Sequence, residues 1–305
     1  VPIKKTLRSL STNEIIQQLK NDGLVLAVGP FVFCIKSSLS SIASNVQKIY
    51  GDFQLLSHDD LIDFYVAIKK PRGLRSFIKP QINFYCNDSS PFLPLPASQA
   101  FPLLEWGMNW CIAQHAHHYL LLHSAVLEKN GKSVILPAQS GSGKSTLCAL
   151  LALNGWRLLS DEMALIDLKS NQLHALARPI SLKNESINVI LNQPCATILG
   201  EVVDDTTKGT ISHLKPSTAS VQQVAKTVAP FAIVFPKYQA NQPINTKTTE
   251  KATAFMAVIE NSFNYAILAE AGFNAVAQLI DNTQCHTLAY SSTEEVLAFF
   301  EELAS

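Results

Sequence analysis

The sequence has no excess charge, no paired cysteines, no long apolar run and no repeat, and each absence removes a class of protein. Lys plus Arg number 24 and Asp plus Glu number 24. A nucleic-acid groove or an anionic membrane surface rewards a basic excess, so neither is expected as the main partner. The six cysteines (Cys34, Cys86, Cys111, Cys148, Cys195 and Cys285) are scattered without a CxxC pair. That excludes a disulfide framework and fits reduced, buried thiols in a cytoplasmic protein. No run approaches the roughly 20 apolar residues that span a bilayer. The opening VPIKKTLRSLSTNEIIQQLKNDG carries charges and no continuous apolar region, so no secretory signal is expected there. No heptad or interface stripe stands out, which leaves a homo-oligomer open.

What is present is ample core material: 47% of 305 residues are apolar, enough for one large or two ordinary domains. The spacing of Ile15, Ile16 and Leu19 behind a Ser/Thr/Asn cap predicts a helix over 11–20. LVLAVGPFVFCIKS reads as two strands around Gly29-Pro30, LSSIASNVQKIYGDF as a helix, and DFYVAIKK and QINFYC as strands. Pro91, Pro94, Pro96 and Pro102 then fall within twelve residues, which suits an extended connector. The expected organisation is a small α/β N-terminal domain over 1–96 and a larger domain over 97–305. In the second, LLEWGMNWCIAQHAHHYL reads as a helix, and LLHSAVLEKNGKSVILPA as a hairpin turning at Lys129-Asn130-Gly131.

That hairpin leads into VILPAQSGSGKSTLCALLALNGWRLLSDE. The phosphate-binding (Walker A) pattern G-x-x-x-x-G-K-[ST] is in register at Gly143-Lys144-Ser145, with Ala138 in place of the first glycine. An apolar strand precedes the loop, Gly141 and Gly143 let the backbone curl, and an amphipathic helix (Thr146 to Asn154) follows. Gln139, Ser140, Gly141, Ser142, Gly143, Lys144, Ser145 and Thr146 are therefore expected to bind a nucleoside triphosphate. Successive N–H groups and the helix N-terminus solvate phosphate oxygens, Lys144 adds a compact charge, and Ser145 ligates Mg2+. Ala138 is tolerated if its φ is negative.

Gly155 stops the helix, and MALIDL, KSNQ and LHALA read as a β-hairpin directly behind it. Switch and motor folds continue instead with helical crossovers and parallel strands. Asp161-Glu162 arrives sixteen residues after Ser145, read here as the start of a strand. Alternation along a strand would turn only one of the two toward the phosphates. Asp161 is the candidate base for an attacking hydroxyl, with Glu162 and Asp161 as Mg2+ ligands. His123, in LLLHSAVL, would sit beside Asp161. Arg178, Lys208 and Lys215 are candidate cations for the transferred phosphoryl group, 208 and 215 lying in EVVDDTTKGTISHLKP, read as a mobile loop feeding a strand. Lys183-Asn184 could contact phosphate or cap an element. Cys111 and His115 share a helix face, but no second ligand pair answers them, so no metal centre is expected there. Trp106, Asn109 and Trp110 would clamp their helix or line a cleft, and Tyr238, Asn264 and Tyr265 could contact nucleotide or substrate. PFAIVFPKY and CHTLAY read as strands, and TEKATAFMAVIEN, NAVAQLIDN and STEEVLAFFEEL as helices.

The block HSAVLEKNGKSVILPAQSGSGKSTLCALLALNGWRLLSDE resembles the core of the HPr kinase/phosphorylase family. FPLLEWGMNWCIAQHAHHYLLLHSAV, ARPISLKNESI and FPKY resemble more closely the group called HPr-kinase-related kinase A. The resemblance implies a P-loop fold like that of phosphoenolpyruvate carboxykinase, with a mixed sheet. It implies ATP with Mg2+ as cofactors and phosphorylation of a serine hydroxyl. On this resemblance His123 matches the active-site histidine and Asp161 the catalytic aspartate, while Glu162 replaces a second aspartate. LARPISLKN stands where the family has a Glu-Ile-Arg-Gly strand, with Arg178 in place of its arginine, so HPr itself is not carried over as the acceptor.

The expectation is thus an ATP- and Mg2+-dependent kinase acting on a serine or threonine hydroxyl of a small protein or peptide. A kinase of a small hydroxylated metabolite and a non-catalytic ATP-binding regulatory module remain as alternatives. Asp161 favours the two kinases, because nucleotide binding alone needs no base.

Overall fold

The computed structural model describes residues 5–71, 80–87, 89–139 and 141–305. In chain order the elements are α1 (Thr12–Lys20), β1 (Leu24–Val28), β2 (Phe31–Ser37), α2 (Ser40–Tyr50), β3 (Phe64–Lys69), β4 (Gln81–Cys86), β5 (Leu95–Pro96) and α3 (Ala100–His115). β6 (Tyr119–Leu122), β7 (Ser124–Lys129), β8 (Lys132–Pro137), α4 (Lys144–Leu153), β9 (Arg157–Ser160), β10 (Ala164–Asp167) and β11 (Leu173–His174) follow. Then come β12 (Ile180–Lys183), α5 (Glu185–Leu191), β13 (Val203–Thr206), β14 (Gly209–Leu214), α6 (Thr218–Gln222), β15 (Pro230–Tyr238) and β16 (Asn245–Thr248). The chain closes with α7 (Lys251–Glu260), α8 (Tyr265–Leu268), α9 (Glu270–Asp281), β17 (Gln284–Tyr290) and α10 (Thr293–Ala304). The protein is mixed α/β. Among the described residues no helix is long and apolar enough to cross a membrane.

Two compact units emerge. The first comprises Val1–Gln114, Ser181–Ile187 and Thr197–Lys215, and the second His115–Ile180, Asn188–Ala196 and Pro216–Ser305. In the first, α1 begins with a capping box in which Ser11 and Glu14 satisfy each other's backbone N–H groups. Its five-stranded sheet has the order β1-β2-β3-β4-β5, and all neighbours are antiparallel except β2 and β3. The proline-rich stretch does not end this unit, because α3 packs on the sheet at Gly107. A Cβ there would meet the Phe84 ring at 2.0 Å, so only glycine admits so close an approach. EVVDDTTKGTISHL is a hairpin, β13–β14, rather than a mobile loop; Thr206 Oγ donates to the Gly209 carbonyl across its turn (2.6 Å).

In the second unit a six-stranded mixed sheet runs β16-β17-β15-β8-β7-β9. β8, β15 and β17 are mutually parallel in that order, while β7, β9 and β16 run against their neighbours. The β7–β8 hairpin turns at Asn130 and Gly131, both with positive φ (55° and 81°), the pair of left-handed residues a two-residue turn requires. A second sheet, β11-β10-β6, carries the core cluster with residues such as Leu120, Leu122, Ile166 and Leu173, together with Val258, Val276 and Leu279 of α7 and α9. The helix expected through Leu120 ends at His115. Tyr119 and Leu120 instead open β6, whose residues Tyr119 to Leu122 pair with Asp167 to Ala164, and burial of the whole strand outweighs the helical reading of its first two residues.

Glu128 and Arg157 lock β7 to β9 with a buried ion pair of 2.7 Å, and Glu128 also accepts the Gly131 N–H (2.7 Å). Burial alone raises the Glu128 carboxyl, but the Arg157 hydrogen bond, the Gly131 N–H and the nearby cations more than offset it and hold it below the usual value. A carboxylate depressed in the fold contributes stability that is full above its unfolded value and lost as pH falls through its folded value. The thermal midpoint of Glu128→Gln is therefore expected to lie below the parent's at neutral pH, with the gap narrowing below about pH 4. Thermal melts from pH 3 to 7 measure it, and a constant gap would contradict the assignment.

Candidate functional site

The C-terminal ends of β8, β15 and β17 point the same way, the edge at which parallel sheets gather ligands. The loop leaving β8 lies there. Ala138 is nearly buried and does not have a positive φ, so its methyl group replaces the usual glycine without strain. Gly141 and Gly143 do need their freedom, with φ of +87° and +88°. Gln139 is exposed and accepts the Ser142 N–H (3.3 Å), and Ser142 returns its carbonyl to the N–H of Tyr238 at the end of β15 (2.9 Å). Ser140 lies outside the described residues. Gly143 is the N-cap of α4, which starts two residues before its expected beginning and has neither a capping side chain nor an acid in its first turn. The leading N–H groups of α4, at Lys144, Ser145 and Thr146, thus keep their capacity for an anion.

Lys144 is 6% exposed, and its Nζ has no hydrogen-bond partner among the described residues. The buried Ser142 Oγ is likewise without one. An unpaired buried ammonium is costly, which makes this atom the clearest demand in the unit for an anionic ligand.

Asp161 and Glu162 occupy a bend between β9 and β10 rather than the start of a strand, so strand alternation does not govern them. Ser160 Oγ accepts the Met163 N–H (3.1 Å) and fixes that bend. Asp161 is 3% exposed. Its charge acts on Cys148, one turn beyond Lys144 on α4, whose thiol donates to the Ser160 carbonyl (3.9 Å). Burial pushes the Cys148 thiol far up, the Asp161 charge adds to this, and Lys144 partly opposes it. Cys148 therefore stays a protonated thiol beside Asp161. This neighbour was missed in the sequence, where it reads as one more buried thiol; the signal was its i, i+4 spacing from Lys144.

Glu162 faces the rim. His123 Nε2 lies 3.4 Å from its carboxylate, with both side chains about a third exposed (32% and 29%). The imidazole thus meets Glu162, whereas Asp161 was the expected neighbour. His123 stands at a break between β6 and β7 rather than within one strand. Its N–H donates to the Asn261 carbonyl (2.6 Å), and its ring meets Phe263 edge-on at 5.8 Å. Arg178 is buried just beyond β11, in a segment whose Leu176 N–H donates to the Leu159 carbonyl of β9 (2.7 Å).

Of the three residues held open for nucleotide or substrate, Tyr238 alone stands at the loop. Asn264 is buried and ties the backbone of β6 at Tyr119 and Leu121, and Tyr265 packs against the core. Several expected cations are engaged within the first unit. Lys215 pairs with the buried Asp52 (2.8 Å), and Lys208 lies over the Trp106 ring, 5.3 Å from its centroid. Asn184, also in that unit, accepts the Thr210 N–H (3.0 Å) beside Gly209, a structural role, and Lys183 donates its own N–H to Ser186 (2.7 Å). Trp110 packs edge-on to Phe92, 6.0 Å away. Among the described residues no group of three or more His, Cys, Asp or Glu is arranged to hold a metal ion.

Gly143 tests this geometry. Its conformation is left-handed, and an added Cβ would sit 3.0 Å from the Tyr238 Cβ and 3.2 Å from the Tyr290 hydroxyl. Gly143→Ala is expected to destabilise the chain by about 1–3 kcal/mol in urea denaturation. An unchanged midpoint would show that the loop is free to rearrange.

The family model described as SynChlorMet cassette protein ScmC matches residues 105–259, slightly more than half of the chain. The matched span takes in the loop, the carboxylate bend, His123 and Tyr238. No curated protein matches the chain.

Proposed function

The chain belongs to the SynChlorMet cassette protein ScmC family, and we propose that it is an ATP- and Mg2+-dependent kinase with a P-loop core like that of HPr kinase and phosphoenolpyruvate carboxykinase. The acceptor in this reading is a serine or threonine hydroxyl on a small protein or peptide. The observation that carries it is the buried Lys144 ammonium, without a hydrogen-bond partner among the described residues, beside an uncapped helix N-terminus and in the same neighbourhood as the buried Asp161. A triphosphate fits that demand, since it brings the negative charge and acceptor oxygens that Lys144, Ser142 and the α4 amides lack.

The chemistry assigns each residue a task. The acceptor oxygen attacks the γ-phosphorus, the bond to the β,γ-bridging oxygen breaks, ADP leaves, and the hydroxyl proton passes to the Asp161 carboxylate. Lys144 stabilises the charge that moves onto the leaving phosphates. Cys148 stays protonated beside Asp161, and the His123 imidazole meets the Glu162 carboxylate at the rim (3.4 Å). Mg2+ would be held by hard oxygen donors, the Ser145 hydroxyl with the Glu162 and Asp161 carboxylates, and would neutralise phosphate charge. Arg178 is the remaining cation of this unit assigned to the transferred group.

The test is transfer from γ-labelled ATP with Mg2+ in extracts of the native host. A labelled protein or peptide that is lost with both Lys144→Met and Asp161→Asn is the expected result. Label confined to small molecules would make the acceptor a metabolite. ATP binding without transfer, indifferent to Asp161→Asn, would leave a regulatory module.

A further inference from the structure

The phosphate loop accounts for a polyphosphate but not for a nucleoside, and nothing assigned so far would distinguish ATP from inorganic tripolyphosphate. An exposed aromatic side chain stands at that strand edge. β15 and β17 end in register at Tyr238 and Tyr290, both close to Gly143 of the loop. Tyr290 is buried, its hydroxyl lies close to Gly143, and burial raises its proton affinity far above the usual tyrosine value, so it remains a neutral phenol. Tyr238 is different. Its backbone is fixed by the bond to Ser142 and its ring leans on Tyr290 (centroids 5.8 Å apart, planes at 76°), yet the residue is 52% exposed.

An edge-to-face contact uses one region of the ring and leaves area free. This exposed ring is also held in place, which an incidental surface aromatic rarely is. The chain beyond it adds polar groups. Gln239 donates its N–H to the Tyr290 carbonyl (2.8 Å), Asn241 has positive φ (60°), and the Gln242 carbonyl accepts from Ser291 Oγ (2.7 Å). The turn QANQ is thereby pinned beside Tyr238, with Asn241 and Gln242 exposed. Carboxamides pair with the donor and acceptor edge of a purine, and an aromatic face stacks on its plane.

We propose that Tyr238 is the specificity-determining residue for the nucleoside: the base of the bound nucleotide stacks on its ring, with the 239–242 turn reading the base edge. The inference rests on the triphosphate reading of the loop. It makes the phosphate contacts and the base contact separable, the first residing in the loop and α4, the second in the end of β15 and the turn after it.

The experiment compares the affinities of MgATP and of magnesium tripolyphosphate by isothermal titration, for the parent, Tyr238→Ala and Tyr238→Phe. Tyr238→Ala is expected to weaken ATP about tenfold or more and to leave tripolyphosphate within about twofold, while Tyr238→Phe keeps the parent's ATP affinity. Unchanged ATP affinity in Tyr238→Ala would overturn the stacking role. Equal weakening of both ligands would overturn it too, since Tyr238 would then act only by bracing Ser142 and Gly143. If the parent binds neither ligand, the triphosphate reading itself fails and takes this inference with it. Tight tripolyphosphate binding with no preference for ATP would spare the loop and refute only the base contact.

Discussion

Lys144→Met is expected to abolish ATP binding and lower phosphoryl transfer by at least about 10²–10³-fold, while leaving the nucleotide-free chain as stable as the parent or more so. The two halves of this expectation have one cause. Nζ of Lys144 is buried and has no hydrogen-bond partner among the described residues. Such a group destabilises the empty fold, and replacing it with an apolar side chain of similar length removes an uncompensated charge, a change worth about 1–3 kcal/mol. Adding ATP at a hundred times its dissociation constant would stabilise the parent by about 2.7 kcal/mol and leave Lys144→Met unmoved. Urea denaturation with and without MgATP reads both effects. A lysine that serves the fold would give the opposite pattern, a less stable variant that nucleotide still stabilises, and that result would remove the main support for the kinase.

How much of this could be read from the sequence depends on the range over which each signal acts. The strand, the two left-handed glycines and the helix starting at Lys144 were legible because such signals are local, and the φ of Ala138 is compatible with its place there. The Asn130-Gly131 turn and the hairpin behind α4 were legible for the same reason. Tyr119 and Leu120 were not: they read as the end of a helix but open β6, which pairs with β10 some forty residues on, a partner no local window contains. Lys215 read as a free cation because its partner Asp52 is distant in sequence. The exchange of neighbours at the carboxylates has a similar origin. Asp161 and Glu162 were read as alternating along a strand, but Ser160 bends the backbone there, so burial decides their environments. One faces Cys148 and the other His123.

That difference in environment carries the second large expectation. Asp161→Asn is expected to lower kcat by about 10²–10⁴-fold while ATP affinity stays within about threefold. The carboxamide keeps the shape, but it cannot take a proton from the acceptor hydroxyl. A loss confined to kcat identifies an interaction made in the transition state, whereas a rise in KM with kcat intact would mean that Asp161 only helps to hold nucleotide. Glu162→Gln supplies the contrast, because that side chain is 29% exposed and shares its carboxylate with His123 at the rim. Its variant should weaken metal-dependent ATP affinity more than kcat, the loss being partly recovered at higher Mg2+ concentration. Steady-state kinetics on both variants across a Mg2+ series separates the roles. If Asp161→Asn retains half of the parent's turnover, the base lies elsewhere. If the two variants instead lose kcat equally and neither responds to Mg2+, the pair acts as one unit, and assigning the base to Asp161 and the larger share of metal binding to Glu162 would be wrong.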